Sequence, residues 1–483
     1  MATPAAFAPG RPETLTKEQE AKLKELWTAS LQVFGAADDL VPAVTVGAAA
    51  AADEAGSATP VASEPPSEDA STTSEAAKKK KKSLGGLLSR KPAKKDADAE
   101  SIASSVSAVP TTGSAADTAP AVTIDHADDK YGHGKEFRAA LASQTPAELR
   151  AAFWSMVKCD NPDGLLLRFL RARKWDVDKA LVMMVATMKW RAKEMDVAAV
   201  VKRGEIGAMA EKDEGFLKQL TLGKSFLHGV DKEGRPICYI RVRLHRAADQ
   251  DEASLEKFTI YTMETARLML RKPVDTACVV FDMTDFTLAN MDYAPVKFMI
   301  KCFEAHYPES LGVCLIHKAP WLFSSIWSII KGWLDPVVAA KINFTKTSDD
   351  LAKFIPKSQI IKELGGDEDW TYAYVEPSPE EDAALKDTAA LEKLEQEREK
   401  IVEEYEHLTR MWIKAKEDAE SDKIKEERNG ISAKLEKGYW NMDKYLRGRT
   451  VYDRTGVLKE DGGIEFYPER KKEAGTQPNG EKN

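Results

Sequence analysis

The chain of 483 residues is long enough for more than one domain, and its net charge of −8 argues against a protein that binds nucleic acid over its whole surface. The sequence has no unbroken apolar run of about 18 residues and no basic N-terminal region followed by an apolar core, so it predicts neither a transmembrane helix nor a secretory signal. The five cysteines show no metal-binding spacing, which is typical of buried thiols in a reducing compartment and favours the cytoplasm.

The first predicted element is an amphipathic helix over residues 14–34. Thr16 is followed three residues later by Gln19, the pattern of a capping box. Apolar residues then recur at helical spacing at Leu23, Leu26, Trp27, Leu31 and Phe34. This apolar face needs a partner, and further amphipathic helices are predicted within residues 135–212. We therefore expect one N-terminal helical lobe that a long insertion interrupts.

The insertion, residues 35–130, is predicted to be disordered because its first 95 residues contain no Phe, Trp or Tyr with which to build a core. Within it lies a polybasic segment. Its candidate tether residues are Lys78, Lys79, Lys80, Lys81, Lys82, Arg90, Lys91, Lys94 and Lys95. Two interpretations remain open for this segment. It is either a nuclear-import signal, or a tether to an anionic membrane surface, where each basic residue contributes about 1 kcal/mol.

Residues 213–372 predict a second domain of the α/β class. Short apolar strands are expected at 235–244, 276–283, 312–319 and 341–345. Helices are expected to begin at Ser254 and to span 292–307. Because helices alternate with these strands, the strands should pair in parallel.

A helical extension is predicted over residues 380–447, followed by a tail at 448–483 that the sequence does not place. Apolar residues follow a heptad pattern at Leu391, Leu394, Ile401, Tyr405, Leu408, Trp412 and Ala415. We expect this helix to end at Asn429-Gly430. Its apolar face either packs on the α/β domain, which we favour, or binds another protein chain.

No combination of nucleophile, base and metal-ligand residues stands out, so the sequence predicts no catalytic residue, no metal site and no enzyme. What does stand out is an apolar stretch at 320–334, in which Lys331 is the only charge. A helix that is apolar on nearly all sides is buried, covers an apolar ligand or touches a membrane. The large side chains of this stretch include Trp321, Phe323, Ile326, Trp327, Ile330 and Trp333.

Four segments in chain order resemble the landmarks of the CRAL-TRIO lipid-binding family, and above all its fungal phosphatidylinositol transfer proteins. They read LLLRFLRARKWDVDKALVMMVATMKWR, DKEGRPICYIRVR, FEAHYPESLGVCLIHKAPWLFSSIWSIIKGWLDPVVAAKI and FIPKSQIIKELGG. The resemblance covers residues 145–366 and the helix at 14–34. It implies a mostly parallel sheet that forms the floor of an apolar lipid pocket, and a gate helix at 320–334 that closes the pocket.

The resemblance also implies individual site residues. The lipid headgroup would be bound by Arg173, Lys174, Glu309 and Lys341. The apolar pocket would include Ala277, Val279, Phe281 and Phe303. Val338 stands where the family has a threonine that contacts the phosphate. Ala277, Val279 and Phe303 stand where the family has pocket residues with hydroxyl groups, which are associated with the binding of choline lipids.

The function that the resemblance implies is non-enzymatic lipid binding and transfer between membranes, with phosphatidylinositol and a second, more apolar lipid as ligands. No cofactor is expected beyond the bound lipid. The expected partners are membrane lipids and an anionic membrane surface, with a protein partner possible through the C-terminal helix, at the periphery of intracellular membranes. The alternatives are a carrier of neutral lipids such as squalene or a sterol, and a lipid-regulated membrane adaptor.

Overall fold

The computed structural model describes residues 6–37, 40, 120, 122 and 129–467. The polybasic segment and most of the insertion predicted to be disordered lie outside these residues. Within the described part of the chain, no helix is both long enough and apolar enough to cross a bilayer.

Seven helices build the N-terminal part of the described structure. They are α1 (Lys17–Val33), α2 (His133–Ser143), α3 (Pro146–Val157), α4 (Pro162–Ala172), α5 (Val177–Lys189), α6 (Val197–Glu211) and α7 (Glu214–Thr221). The capping box predicted at Thr16 and Gln19 is present at the start of α1. The apolar face of α1, including Trp27, packs in one core with α2 to α5, which the insertion separates from α1 in sequence.

A five-stranded sheet follows, in the order β1 (Ser225–Val230), β2 (Pro236–Arg241), β3 (Ala277–Asp282), β4 (Leu311–His317) and β5 (Ile342–Thr345). β1 and β2 are antiparallel and the other neighbours are parallel, so the predicted α/β class is confirmed. β1 was not predicted, because His228 and Gly229 interrupt its apolar pattern.

Short helices connect and flank the strands. They are α8 (Glu252–Leu268), α9 (Tyr293–Lys301), α10 (Phe323–Lys331), α11 (Pro336–Ala340) and α12 (Ser348–Leu351). The helix predicted from Ser254 begins two residues earlier, because the Asp251 carboxylate accepts the Ser254 backbone N–H as the N-cap. α9 ends before the predicted 307 and continues as one π-helical turn at Cys302–His306.

The C-terminal extension is a hairpin of two helices, α13 (Thr388–Lys414) and α14 (Asp418–Leu446), followed by α15 (Val451–Arg454). The prediction of a helix end at Asn429-Gly430 is wrong. Those residues lie inside α14, where the buried Ile431 and Leu435 keep the chain helical despite a glycine cost of about 1 kcal/mol. The actual break comes at Ala415, whose backbone is extended and which the heptad pattern had included.

The packing partner predicted for the heptad-patterned helix is also wrong. Tyr405 and Trp412 of α13 and Leu435 of α14 lie in the core of the helical lobe, and not against the sheet. The physical reason is a buried polar contact: Arg428 of α14 donates two hydrogen bonds to Asp163 of α4. The described part of the tail that the sequence could not place contacts the sheet, where the Tyr452 hydroxyl accepts the Leu227 N–H at 2.7 Å.

Candidate functional site

An apolar cavity of about 310 Å³ lies on one face of the sheet. Residues at alternate positions of the strands, such as Ile240 and Cys314, form its floor, as the two-residue period of a strand requires. The four pocket residues that the resemblance implied all line this cavity, at Ala277, Val279, Phe281 and Phe303. The cavity can therefore enclose hydrocarbon and offers it few polar partners.

Helix α10 covers the cavity and occupies the position predicted for the gate. Phe323, Trp327 and Ile330 line the cavity, and Ile326 is buried in the same apolar cluster. Trp333, beyond the end of α10, packs edge-on against Tyr293 with ring centroids 5.4 Å apart. Trp321 differs from the other five residues, because it lies in the turn before α10 and is 88% exposed. The helix thus covers the cavity, and the turn before it presents one large aromatic side chain to solvent.

A second cavity, of about 580 Å³, contains all four of the predicted headgroup residues. Arg173 and Lys174 reach it from the end of α4, Glu309 from the loop before β4, and Lys341 from the end of α11. The Lys341 ammonium lies 3.6 Å from the Glu309 carboxylate. Residues far apart in sequence therefore bring three cations and a carboxylate to one cavity.

Three residues at or next to this cavity have a left-handed backbone conformation, which is unfavourable for residues other than glycine. Lys174, Trp175 and Glu309 have φ angles of 52°, 67° and 54°, in the left-handed region. Such residues cost roughly 1–3 kcal/mol each and persist where surrounding contacts hold them. For Glu309 one such contact is Arg168, whose guanidinium donates to the Glu309 carbonyl at 2.8 Å and also to the Asp275 carbonyl.

Basic and acidic side chains are nearly balanced around this polar cavity. Among the described residues, six basic side chains line it, at Lys130, Arg171, Arg173, Lys174, Lys179 and Lys341. Five acidic side chains line it, at Asp129, Asp176, Glu304, Glu309 and Asp335. His133 adds no charge at neutral pH, because burial and the neighbouring Arg173 lower its pKa to about 4. The lining is thus positive by one charge, which suits a ligand with a single negative charge.

The polar and apolar cavities share part of their walls. Phe303, Pro308, Leu311 and Val338 line both. A molecule with a polar head and hydrocarbon chains could therefore place its head among the charged residues and its chains over the sheet. This junction is the main chemical property of the site.

Several residues of the polar cavity were not found from the sequence. Lys130 is the last residue of the predicted insertion, and Tyr131 and His133 follow it. Glu304 lies within a π-helical turn that was predicted as ordinary helix. The one available signal was Tyr131, the first Phe, Trp or Tyr after 96 residues without one. An aromatic residue in that place indicates a return to packed structure.

The histidines of the α/β core provide no metal centre, since the described residues contain no group of His, Cys, Asp and Glu that could hold one. His306 stacks on Trp190 with ring centroids 3.8 Å apart, and His317 contacts the Thr345 hydroxyl at 3.0 Å. Four of the five cysteines are buried, as predicted, and Cys159 is half-buried.

Comparison with known proteins identifies two matching family models. A CRAL/TRIO domain matches residues 220–366, and the CRAL/TRIO N-terminal domain matches residues 135–186. The phosphatidylinositol transfer protein CSR1 of Eremothecium gossypii is 43% identical over 460 residues, which cover 94% of this chain and 99% of that relative.

A second relative is the CRAL-TRIO domain-containing protein C3H8.02 of Schizosaccharomyces pombe. It is 50% identical over 313 residues, covering 65% of this chain and 69% of the relative. Among solved structures, the crystal structure of Sfh5 aligns with a TM-score of 0.37 at 16% identity, over 53% of this chain and 96% of that one.

Proposed function

The chain belongs to the CRAL-TRIO family, and from this premise we propose that it binds membrane lipids and transfers them between membranes without catalysis, with phosphatidylinositol as a ligand. The observation that carries the proposal is the junction of a charged cavity with an apolar one at Phe303, Pro308, Leu311 and Val338. The relative from Eremothecium gossypii, named as a phosphatidylinositol transfer protein, supports the choice of lipid.

The apolar cavity would replace the apolar environment that the acyl chains of a lipid lose on leaving a bilayer. Two acyl chains with about 30 methylenes cost on the order of 20 kcal/mol to expose to water. A carrier must surround them with apolar side chains, as the strands and α10 would do. A carrier must also open to take up and release the lipid. The element that would move is α10, because its residues line the cavity and the exposed Trp321 lies just before its start.

The polar cavity supplies partners for the head. Arg173, Lys174 and Lys341 would contact the phosphate, arginine through paired N–H groups and lysine as a point charge. Glu309 would accept hydrogen bonds from inositol hydroxyls while remaining close to Lys341. At Val338 the wall is apolar and gives the phosphate no hydroxyl.

A second, more apolar ligand is supported by the cavity floor. Ala277, Val279 and Phe303 give a lipid head no hydroxyl deep in the cavity, which disfavours a choline lipid there and favours a neutral lipid such as squalene or a sterol. A carrier of neutral lipids alone is therefore the second candidate function. The adaptor alternative has less support, because the apolar face of α13 is already covered by the helical lobe.

We place this activity at the cytoplasmic surface of intracellular membranes, with the bound lipid as the only ligand and no cofactor. Native mass spectrometry of the full chain, purified without detergent, tests the proposal. A bound mass equal to phosphatidylinositol is expected, together with a neutral lipid in part of the sample. A neutral lipid alone, with no uptake of phosphatidylinositol from vesicles, would leave the second candidate function.

A further inference from the structure

Two side chains from the segment before α2 face the polar cavity, although they lie outside the residues that the family models match. These are Lys130 and Tyr131. The Lys130 ammonium and the Tyr131 hydroxyl each donate a hydrogen bond of 2.6 Å to the same carboxylate oxygen of Glu304. Neither residue was predicted as a site residue from the sequence.

Glu304 connects this pair to the helix that carries Lys341. Its side chain is only 4% exposed, and its second oxygen accepts the Asp335 backbone N–H at 2.7 Å. Asp335 is the N-cap of α11, and Lys341 is its C-cap. One buried carboxylate therefore fixes Lys130 and Tyr131 relative to the helix that carries Lys341.

Among the described residues, the Lys130 ammonium uses only two of its three N–H donors. An ammonium group has three N–H donors, and here one is directed to Glu304 and one to the Trp333 carbonyl. The side chain is 48% exposed, so the third donor can reach a ligand in the cavity. Tyr131 keeps its proton, because burial and Glu304 raise the pKa of its hydroxyl, and the hydroxyl oxygen can still accept a hydrogen bond.

α11, in contrast, gives the cavity apolar walls at Val337 and Val338. Apart from Lys341 at its end, α11 therefore gives the head no side-chain donor in this cavity, and further donors must come from another segment. Lys130 and Tyr131 are placed to supply them, because the same carboxylate that holds both also holds the start of α11.

We propose that Lys130 and Tyr131 are specificity-determining residues of the headgroup site, with Glu304 as their positioning residue. Lys130 contacts the phosphate and Tyr131 contacts a hydroxyl of the head. The inference rests on the proposed function and narrows its ligand to a lipid whose head has hydroxyl groups and a single phosphodiester. The excess of one positive charge in the cavity lining matches that single negative charge.

The test measures lipid uptake by the full-length chain from vesicles that contain phosphatidylinositol or diacylglycerol with the same acyl chains. The second lipid lacks the head and isolates the contribution of the chains. Lys130→Ala should lower phosphatidylinositol uptake about tenfold, since a charge-assisted hydrogen bond is lost, and Tyr131→Phe should lower it about threefold. Diacylglycerol uptake should not change.

Two variants serve as controls for charge and folding. Lys218 matches Lys130, because it is also 48% exposed and lies 2.6 Å from a carboxylate, that of Asp249, while lining neither cavity. Lys218→Ala should therefore leave uptake of both lipids unchanged. Lys130→Arg keeps the charge and should retain most of the phosphatidylinositol uptake.

Glu304→Gln tests the positioning role. It should lower phosphatidylinositol uptake, and adding Lys130→Ala should cause little further loss, because the two residues act as one unit. Independent, additive losses would overturn the positioning role.

The outcomes separate this inference from the proposed function. If Arg173→Ala with Lys341→Ala lowers phosphatidylinositol uptake while Lys130→Ala and Tyr131→Phe do not, the inference is wrong and the proposed function stands. Equal losses for both lipids would mean a structural role only, and would also overturn it. If the wild-type chain takes up no phosphatidylinositol, both fail. Preferential uptake of a phosphorylated phosphatidylinositol would overturn the assignment of a single phosphodiester.

Discussion

The Lys341 ammonium lies 3.6 Å from the Glu309 carboxylate, a distance that brings the end of α11 and the loop before β4 to one cavity. The contact is loose, and each side chain is about one quarter exposed or less, at 22% and 23%. A phosphate could therefore approach Lys341 without first breaking a tight, buried ion pair.

Replacing Lys341 by alanine should lower phosphatidylinositol transfer between vesicles about tenfold, because one charge-assisted contact to the phosphate is lost. Arg173→Ala should have a similar effect. Transfer of a fluorescent sterol should not change, since its chemistry makes no use of the cations. Fluorescence dequenching between donor and acceptor vesicles measures both rates.

A matched control is Lys353→Ala. Lys353 pairs with Asp350 at 2.8 Å, is 70% exposed and lines neither cavity. Its replacement should leave both transfer rates as they are in the wild type. Unchanged phosphatidylinositol transfer by the Lys341 and Arg173 variants would refute the assignment of these residues to the head.

The helical hairpin at the C-terminus should contribute strongly to stability through Asp163 and Arg428. Both are buried, and Asp163 also accepts hydrogen bonds from Trp27 and Tyr405. Arg428→Met should lower the free energy of unfolding by about 3–5 kcal/mol, since it leaves a carboxylate buried without its cation. Urea denaturation followed by tryptophan fluorescence measures the change.

Removing both charges should be less harmful than removing one. The double variant Asp163→Leu with Arg428→Met should recover part of the lost stability, because no charge then remains unpaired. The exposed pair Lys434 and Glu404, 3.8 Å apart, is the comparison, and Lys434→Ala should cost no more than about 1 kcal/mol. A cost for Arg428→Met as small as that of Lys434→Ala would contradict the prediction.

His133 should make the protein less stable in acid. Burial and Arg173 lower its pKa in the folded state to about 4, whereas an unfolded chain has the ordinary value near 6.5. Between these two pH values the unfolded state binds a proton that the folded state does not, so this contribution to stability falls as the pH falls.

The expected loss of unfolding free energy follows from the two pKa values of His133. Between pH 7 and pH 5 the wild type should lose about 2 kcal/mol more unfolding free energy than His133→Asn, which has no titrating group at this position. Urea denaturation at the two pH values gives the difference. An equal loss in both proteins would show that His133 titrates normally in the folded state.

The parts of the fold that could be predicted are those in which the spacing of apolar or capping residues matches the period of the helix or strand that they form. The capping box at Thr16 and the buried strands around Val279 and Cys314 were predicted in this way. The break at Ala415 could not be, because the heptad pattern includes that residue and the helix was expected to continue to Asn429-Gly430. The buried bond between Asp163 and Arg428, 265 residues apart, leaves no periodic signal.

The residues of the candidate site also include some that could be predicted and some that could not. Residues that the family resemblance implied, such as Arg173 and Lys341, do line one cavity. Lys130 and Tyr131 could not be found, because they lie at the end of the predicted insertion and directly after it, where the resemblance covers neither residue. Their placement depends on the tertiary contact with Glu304, and no spacing in the sequence encodes that contact.

Trp321 should anchor the covering helix to a membrane. It is 88% exposed and immediately precedes the segment that covers the cavity, and tryptophan is favoured at membrane–water interfaces. Trp321→Ala should weaken vesicle binding about tenfold, the effect of losing one large inserted apolar side chain. Because a surface substitution changes stability by about 0.5 kcal/mol or less, the thermal midpoint should stay close to that of the wild type.

Vesicle flotation of the full-length chain measures the binding, and Met411→Ala is the control. Met411 is also an exposed apolar residue, at 41%, but it lies on α13, away from the cavities. Its replacement should leave flotation unchanged, because an apolar side chain assists membrane binding only where it can reach the bilayer together with the covering helix. If the two variants lost vesicle binding equally, general surface hydrophobicity would explain the attachment, and the anchoring role of Trp321 would be refuted.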